Sequence, residues 1–114
     1  MKTLILLNDP PYGTERSFNG LRLAKALVDA GVEVVVFLMA DAVACAKRGQ
    51  KVPNGYYSIE RMLKPISRTG EVLLCGTCMD ARGLSEDDLV DGVRRSTMDE
   101  LSRNTIESDR TLVF

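Results

Sequence analysis

The sequence predicts an α/β fold built on a mostly parallel β-sheet with helices on both faces. Three runs, TLILL at residues 3–7, VEVVVFL at 32–38 and EVLLC at 71–75, are short, apolar and largely branched, the pattern of strands buried on both sides. Segments of helical character separate them, and parallel strands need such crossovers. With 114 residues and 45% apolar composition, the chain reads as one domain, residues 1–114, able to build a core without disulfides.

Each element follows from local pattern. The first run stops at Asn8, Asp9, Pro10 and Pro11, short of the roughly 7–15 apolar residues of an export segment. It reads as a buried strand, and a cytoplasmic location with reduced thiols is the expectation. Phe18, Leu21, Ala24, Leu27 and Val28 then recur at helical steps, with Thr14 as the expected N-cap and Gly31 after the last turn. After the second strand come helical pieces at 42–47 and 58–65, the latter with Ile59, Met62 and Leu63 on one side. Between them lie the surface loop GQKVPNG and the pair Tyr56-Tyr57, rings suited either to a subunit contact or to a satellite cluster.

Past the third strand, Ser85-Glu86-Asp87-Asp88 begins an acidic helical turn carrying Leu89 and Val90. A brief strand is expected at 92–94. Thr97 to Glu100 reads as a capping box for a helix that buries Met98, Leu101 and Ile106, and residues 112–114 form a last strand.

Charge and composition narrow the function. Fifteen basic against 16 acidic residues give a net charge of -1, which gives no electrostatic reason to expect direct nucleic-acid or membrane binding. Lys47-Arg48 and Arg94-Arg95 read as solvated faces. The chain has no histidine, so histidine triads and histidine-containing zinc sites are excluded within one chain.

The chemistry concentrates in CGTCMDARG, residues 75–83. Cys75 falls at a strand's carboxyl end, where open α/β sheets gather ligands, and Cys78 falls near the first turn of the helix that follows. Amides at that turn favour thiolate, and Arg82 is placed to add positive charge. Two small buried residues remain the plainer alternative, and Cys45, on an apolar helix face, reads as core. A thioredoxin-like fold fits poorly, because no proline occurs in the last 36 residues and no aromatic residue adjoins the pair. A structural metal site takes about four ligands, which two thiols would reach only with a second subunit. The loop NDPPYGTERS, residues 8–17, offers helix-start amides to an anion or a persulfide, although strand-end capping explains it as well.

Three segments carry a resemblance. PYGTERSFNGLRLAKALVDAGVEV has a Tyr-Gly-Thr turn, a helix, a glycine and a strand. VLLCGTCMDARGL has a strand-end cysteine followed eight residues later by the glycine of Arg82-Gly83. DRTLVF closes the chain. In order and spacing the sequence resembles the DsrE/DsrF-like family of sulfur-relay proteins over nearly its whole length. The resemblance implies a three-layer α/β/α sandwich with a parallel sheet of about five strands, and a homo-oligomer, either trimer or hexamer.

It also implies that Cys75 accepts sulfane sulfur as a persulfide and passes it to an acceptor thiol. Sulfur donor and acceptor proteins are then the partners, no cofactor or metal is needed, and Tyr12, Gly13, Thr14, Gly76, Thr77 and Arg82 bind substrate or tune the site. Cys78 departs from a sulfur-relay member that lacks a cysteine there, but occurs in a subgroup of small members. The expected function is a small cytoplasmic sulfur carrier, sulfurtransferase-like. Its rivals are a non-catalytic assembly or regulatory subunit of the same fold and a thiol–disulfide protein using Cys75 and Cys78.

Overall fold

In the computed structural model, which describes residues 1–114, the strands are β1 (Lys2–Leu7), β2 (Glu33–Leu38), β3 (Glu71–Cys75), β4 (Arg94–Ser96) and β5 (Arg110–Val113). They form one sheet in the order β4-β3-β2-β1-β5, every pair parallel. The helices are α1 (Arg16–Asp29), α2 (Ile59–Thr69), α3 (Gly76–Ala81) and α4 (Met98–Glu107), with 3₁₀ segments at Ala40–Ala46 and Glu86–Asp88. No helix is long and apolar enough to cross a membrane.

Because successive strand side chains point to opposite faces, the apolar runs feed two cores. Ile5, Leu7, Val34, Val36, Leu38, Val72 and Leu74 pack against Leu21 and Ala24 of α1 and Ile59, Leu63 and Ile66 of α2. On the other face, Leu4, Val35, Phe37, Leu73 and Cys75 pack against Leu101 of α4. The result is the expected α/β/α sandwich with five strands.

Several element ends differ from the sequence expectations, each for a local reason. Thr14 is not the N-cap: its hydroxyl donates to the Asp9 carboxylate at 2.5 Å, and α1 begins after Glu15 without a side-chain cap. Helix α2 continues four residues beyond Pro65, since Ile66 is fully buried and tertiary burial outweighs one missing N–H. The piece expected at 42–47 is a 3₁₀ segment that starts at Ala40, and the fourth strand lies two residues later than expected.

In α4 the capping box is half formed. Thr97 accepts from the Glu100 N–H at 3.2 Å, but the Glu100 carboxylate turns to Arg94, at 2.8 and 2.5 Å, and to the Ser96 hydroxyl. A complete capping box forms instead between Ser85 and Asp88. Met98 and Ile106 are 59% and 80% exposed, because only Leu101 and Asn104 of this helix are buried. The two tyrosines part company: Tyr57 stacks on Phe18 at 3.9 Å and lies 5.9 Å from Tyr12, while Tyr56 is exposed.

Glu100 joins the edge strand β4 to α4, and hydrogen bonds from Arg94 and then Ser96 hold its carboxyl down to about 2. A depressed carboxyl stabilises the fold above its ordinary pKa and loses that contribution as pH falls through the folded value. Glu100→Gln is therefore expected to lower stability by on the order of 1–2 kcal/mol near neutral pH, since Arg94 is half exposed and screened. Urea unfolding as a function of pH checks this, with wild type and variant converging towards pH of about 2.

Candidate functional site

Cys75 ends β3 and serves as the N-cap of α3. It shares the α4 face of the sheet with Leu73 and Phe37, as strand alternation requires. Parallel pairing sets Cys75 opposite Ser96 of β4, and β2, on the other side of β3, delivers Met39. Together Met39, Cys75, Gly76, Thr77, Cys78, Arg95, Ser96, Thr97 and Met98 line an open cleft of about 370 Å³ at the carboxyl edge of the sheet.

The two thiols are unlike. Cys75 is 7% exposed. Burial pushes its thiol up, and a hydrogen bond to Cys78 raises it further, while the backbone amides of Cys78 and Thr77 pull it the other way. The thiolate favoured by the sequence argument is thus overridden by desolvation, which penalises a buried charge more than those amides recover.

Cys78 is half-buried, and its sulfur accepts the backbone N–H of Ala40 at 3.2 Å. Ala40 has φ +49, a left-handed conformation that costs an alanine roughly 1–2 kcal/mol. Such strain in a residue bonded to a site sulfur marks a constrained position. Cys78 Sγ thus has a fixed backbone donor, and it lines the same cleft as Cys75.

Arg82 does not reach the cleft. Its Nε and Nη2 go to Asp41, each at 2.9 Å, and its Nη1 donates to the Cys78 carbonyl at 3.0 Å. It ties the end of α3 to the 3₁₀ segment. The cation lining the cleft is Arg95, which no local pattern separates from a solvated Arg94-Arg95 pair. The β3–β4 register sets it opposite Leu74, one residue before Cys75.

Tyr12, Gly13 and Thr14 also lie outside the cleft. The Tyr12 hydroxyl donates to Gln50 at 2.7 Å and accepts from the Ile59 N–H at 3.1 Å, Gly13 packs beside Pro10, and Thr14 bonds Asp9. They fasten the β1–α1 turn to the loop before α2. Gly76 and Thr77 do line the cleft. Cys45 is fully buried, and burial pushes its thiol up to about 12.

The family model for the DsrE/DsrF-like family matches residues 1–114. Protein YchN of Escherichia coli (strain K12) is 43% identical over 116 residues, covering 99% of this chain and 98% of YchN. The chain belongs to the DsrE/DsrF-like family. An uncharacterized protein of Methanopyrus kandleri, MK0008, is 39% identical over 96% of this chain and 91% of its own length. Among solved structures, the crystal structure of the E. coli ychN protein superposes with a TM-score of 0.94, covering 100% of this chain and 99% of that one. MTH1491 of Methanobacterium thermoautotrophicum, a protein of unknown function, shares this DsrE/DsrF-like fold at a TM-score of 0.80 with 14% identity, over 99% and 98% of the two chains.

For this family member, the raised Cys75 thiol has a direct consequence. Alkylation of native protein by iodoacetamide is expected to be slow at Cys75 near neutral pH and to climb as pH rises past its ordinary value of 9.0, because only the thiolate reacts. Peptide mapping of the alkylated protein reads this, and fast labelling of Cys75 at neutral pH would contradict it.

Proposed function

We propose that the chain is a small cytoplasmic carrier of sulfane sulfur, acting as a homo-oligomer, with Cys75 as the acceptor and Cys78 as its working partner. The observation that carries the reading is the pair of free thiols, Cys75 and Cys78, on the wall of one open cleft. In the loading step, Cys75 first gives its proton to solvent and becomes the thiolate. Cys75 Sγ attacks the donor's sulfane sulfur, a new S–S bond forms on Cys75, and the donor's own S–S bond breaks to release its thiolate.

Transfer onward is attack by an acceptor thiolate on the outer sulfur, returning Cys75 as thiolate. Neither step needs a histidine or changes the overall oxidation level. Should Cys78 attack the inner sulfur instead, sulfide leaves and a Cys75–Cys78 disulfide closes, which is the redox alternative. Donor and acceptor proteins are the proposed partners.

One observation favours a second reading, a non-catalytic assembly or regulatory subunit. Cys75 is buried and its thiol is held protonated, as an unreactive structural cysteine would be.

Loading separates the two readings. Native reduced protein treated with a mild persulfide donor is expected to gain the mass of one sulfur atom. Cys75→Ser should abolish the gain, and Cys45→Ser should leave it intact. Intact-mass spectrometry that found no added sulfur on wild type would favour the assembly reading.

A further inference from the structure

Arg95 Nη1 and Nη2 each lie 2.8 Å from an oxygen of the Asp80 carboxylate, a bidentate pair that fixes the guanidinium plane. The same contact holds the Asp80 carboxyl below its usual value. A guanidinium has five N–H donors, and Asp80 accepts from Nη1 and Nη2 only. The remaining donors make no hydrogen bond within the chain, and Arg95 lines the cleft that holds both thiols.

Gly76 makes this placement possible. A Cβ at residue 76 would stand 2.7 Å from Arg95 Nε and 2.8 Å from Cζ, closer than any side chain tolerates. The guanidinium therefore lies flat over the start of α3, between Asp80 and the residue that follows Cys75. The hydrogen bonds to Asp80 hold the Arg95 guanidinium above its usual value.

We propose that Arg95, its charge partly offset by Asp80 and its guanidinium admitted by Gly76, is an anion-binding residue of the cleft, meeting the negative charge of a small anionic sulfane donor and of the persulfide left on Cys75. The sulfur part of this rests on the carrier reading above; the anion preference does not. A donor such as a hydropersulfide or a thiosulfonate brings its charge next to the sulfur that Cys75 attacks. With thiosulfate, the Cys75 thiolate takes the outer sulfur, the S–S bond breaks, and sulfite leaves with the electron pair. Charge is conserved, and no oxidant or reductant enters. Asp80 offsets part of the guanidinium charge, so removing that carboxylate should strengthen the anion preference.

The test compares alkylation of Cys75 in the full-length protein by iodoacetate, an anion, and by iodoacetamide, its neutral analogue, at about pH 9. Peptide mapping gives the ratio of the two rates, which cancels changes in thiol exposure common to both reagents. Arg95→Met is expected to lower the iodoacetate-to-iodoacetamide ratio roughly tenfold, the scale of one lost charge-assisted hydrogen bond. Arg95→Lys should restore part of it, and Asp80→Asn should raise it above wild type. Arg61→Met, a change outside the cleft, should leave it alone.

An unchanged ratio in Arg95→Met, or a fall in Asp80→Asn, would overturn the proposal. Should Arg95→Met not fold, Asp80→Asn decides alone. Loading from thiosulfate is measured separately: a protein that shows the charge preference yet takes up no sulfur keeps the anion site and loses the carrier reading.

Discussion

The pairing of β3 with β4 is the constraint on which the candidate site depends. It sets Cys75 opposite Ser96, so the three-residue edge strand brings Arg95 beside α3 and starts α4 next to the thiols. The Glu100 carboxylate, held by Arg94 and Ser96, ties that edge strand to the helix that follows it. A one-residue slip in a strand would turn its side chains to the opposite face. Arg95, which pairs with Leu74, would then turn away from Asp80 and Gly76.

A second constraint is the burial of the sulfur. Cys75 belongs to the small core beneath α4, with Phe37 and Leu73, and this dry setting opposes its ionisation. Cys78 lies at the boundary of both cores and receives the Ala40 N–H. A protonated inner thiol hydrogen-bonded to an outer sulfur resists alkylation and casual oxidation at rest. It reacts once that proton has left and the thiolate forms. The strained alanine fits a site in which the position of one acceptor atom matters more than local backbone comfort.

What could be read from the sequence divides along the line between local and non-local cause. The three long strands, α1 and the place of Cys75 at a strand's carboxyl end follow from apolar runs and helical spacing, and they were legible. The family resemblance supplied the five-strand sandwich, now seen directly. Met98 and Ile106 depart from the expected buried stripe because α4 meets its sheet face only through Leu101 and Asn104. Arg82 is near the cysteines in sequence but turns to Asp41, whereas Arg95 is distant in sequence and lines the cleft. No pattern within residues 92–97 shows that a two-arginine edge strand will lie against a cysteine twenty residues earlier. Tyr12, Gly13 and Thr14 form a conspicuous turn, but its hydrogen bonds serve the loop before α2.

The central claim, that this chain carries sulfur on Cys75 and hands it on, is tested most directly by a labelled chase. Protein loaded from a donor whose sulfane atom is isotopically marked is mixed with an excess of a small acceptor thiol, and both are followed by mass spectrometry. The account predicts that the label leaves Cys75 and appears as the acceptor's persulfide, with Cys75 and Cys78 recovered as free thiols. Recovery of the label as sulfide alongside a Cys75–Cys78 disulfide, or protein that never takes up the label, would contradict it.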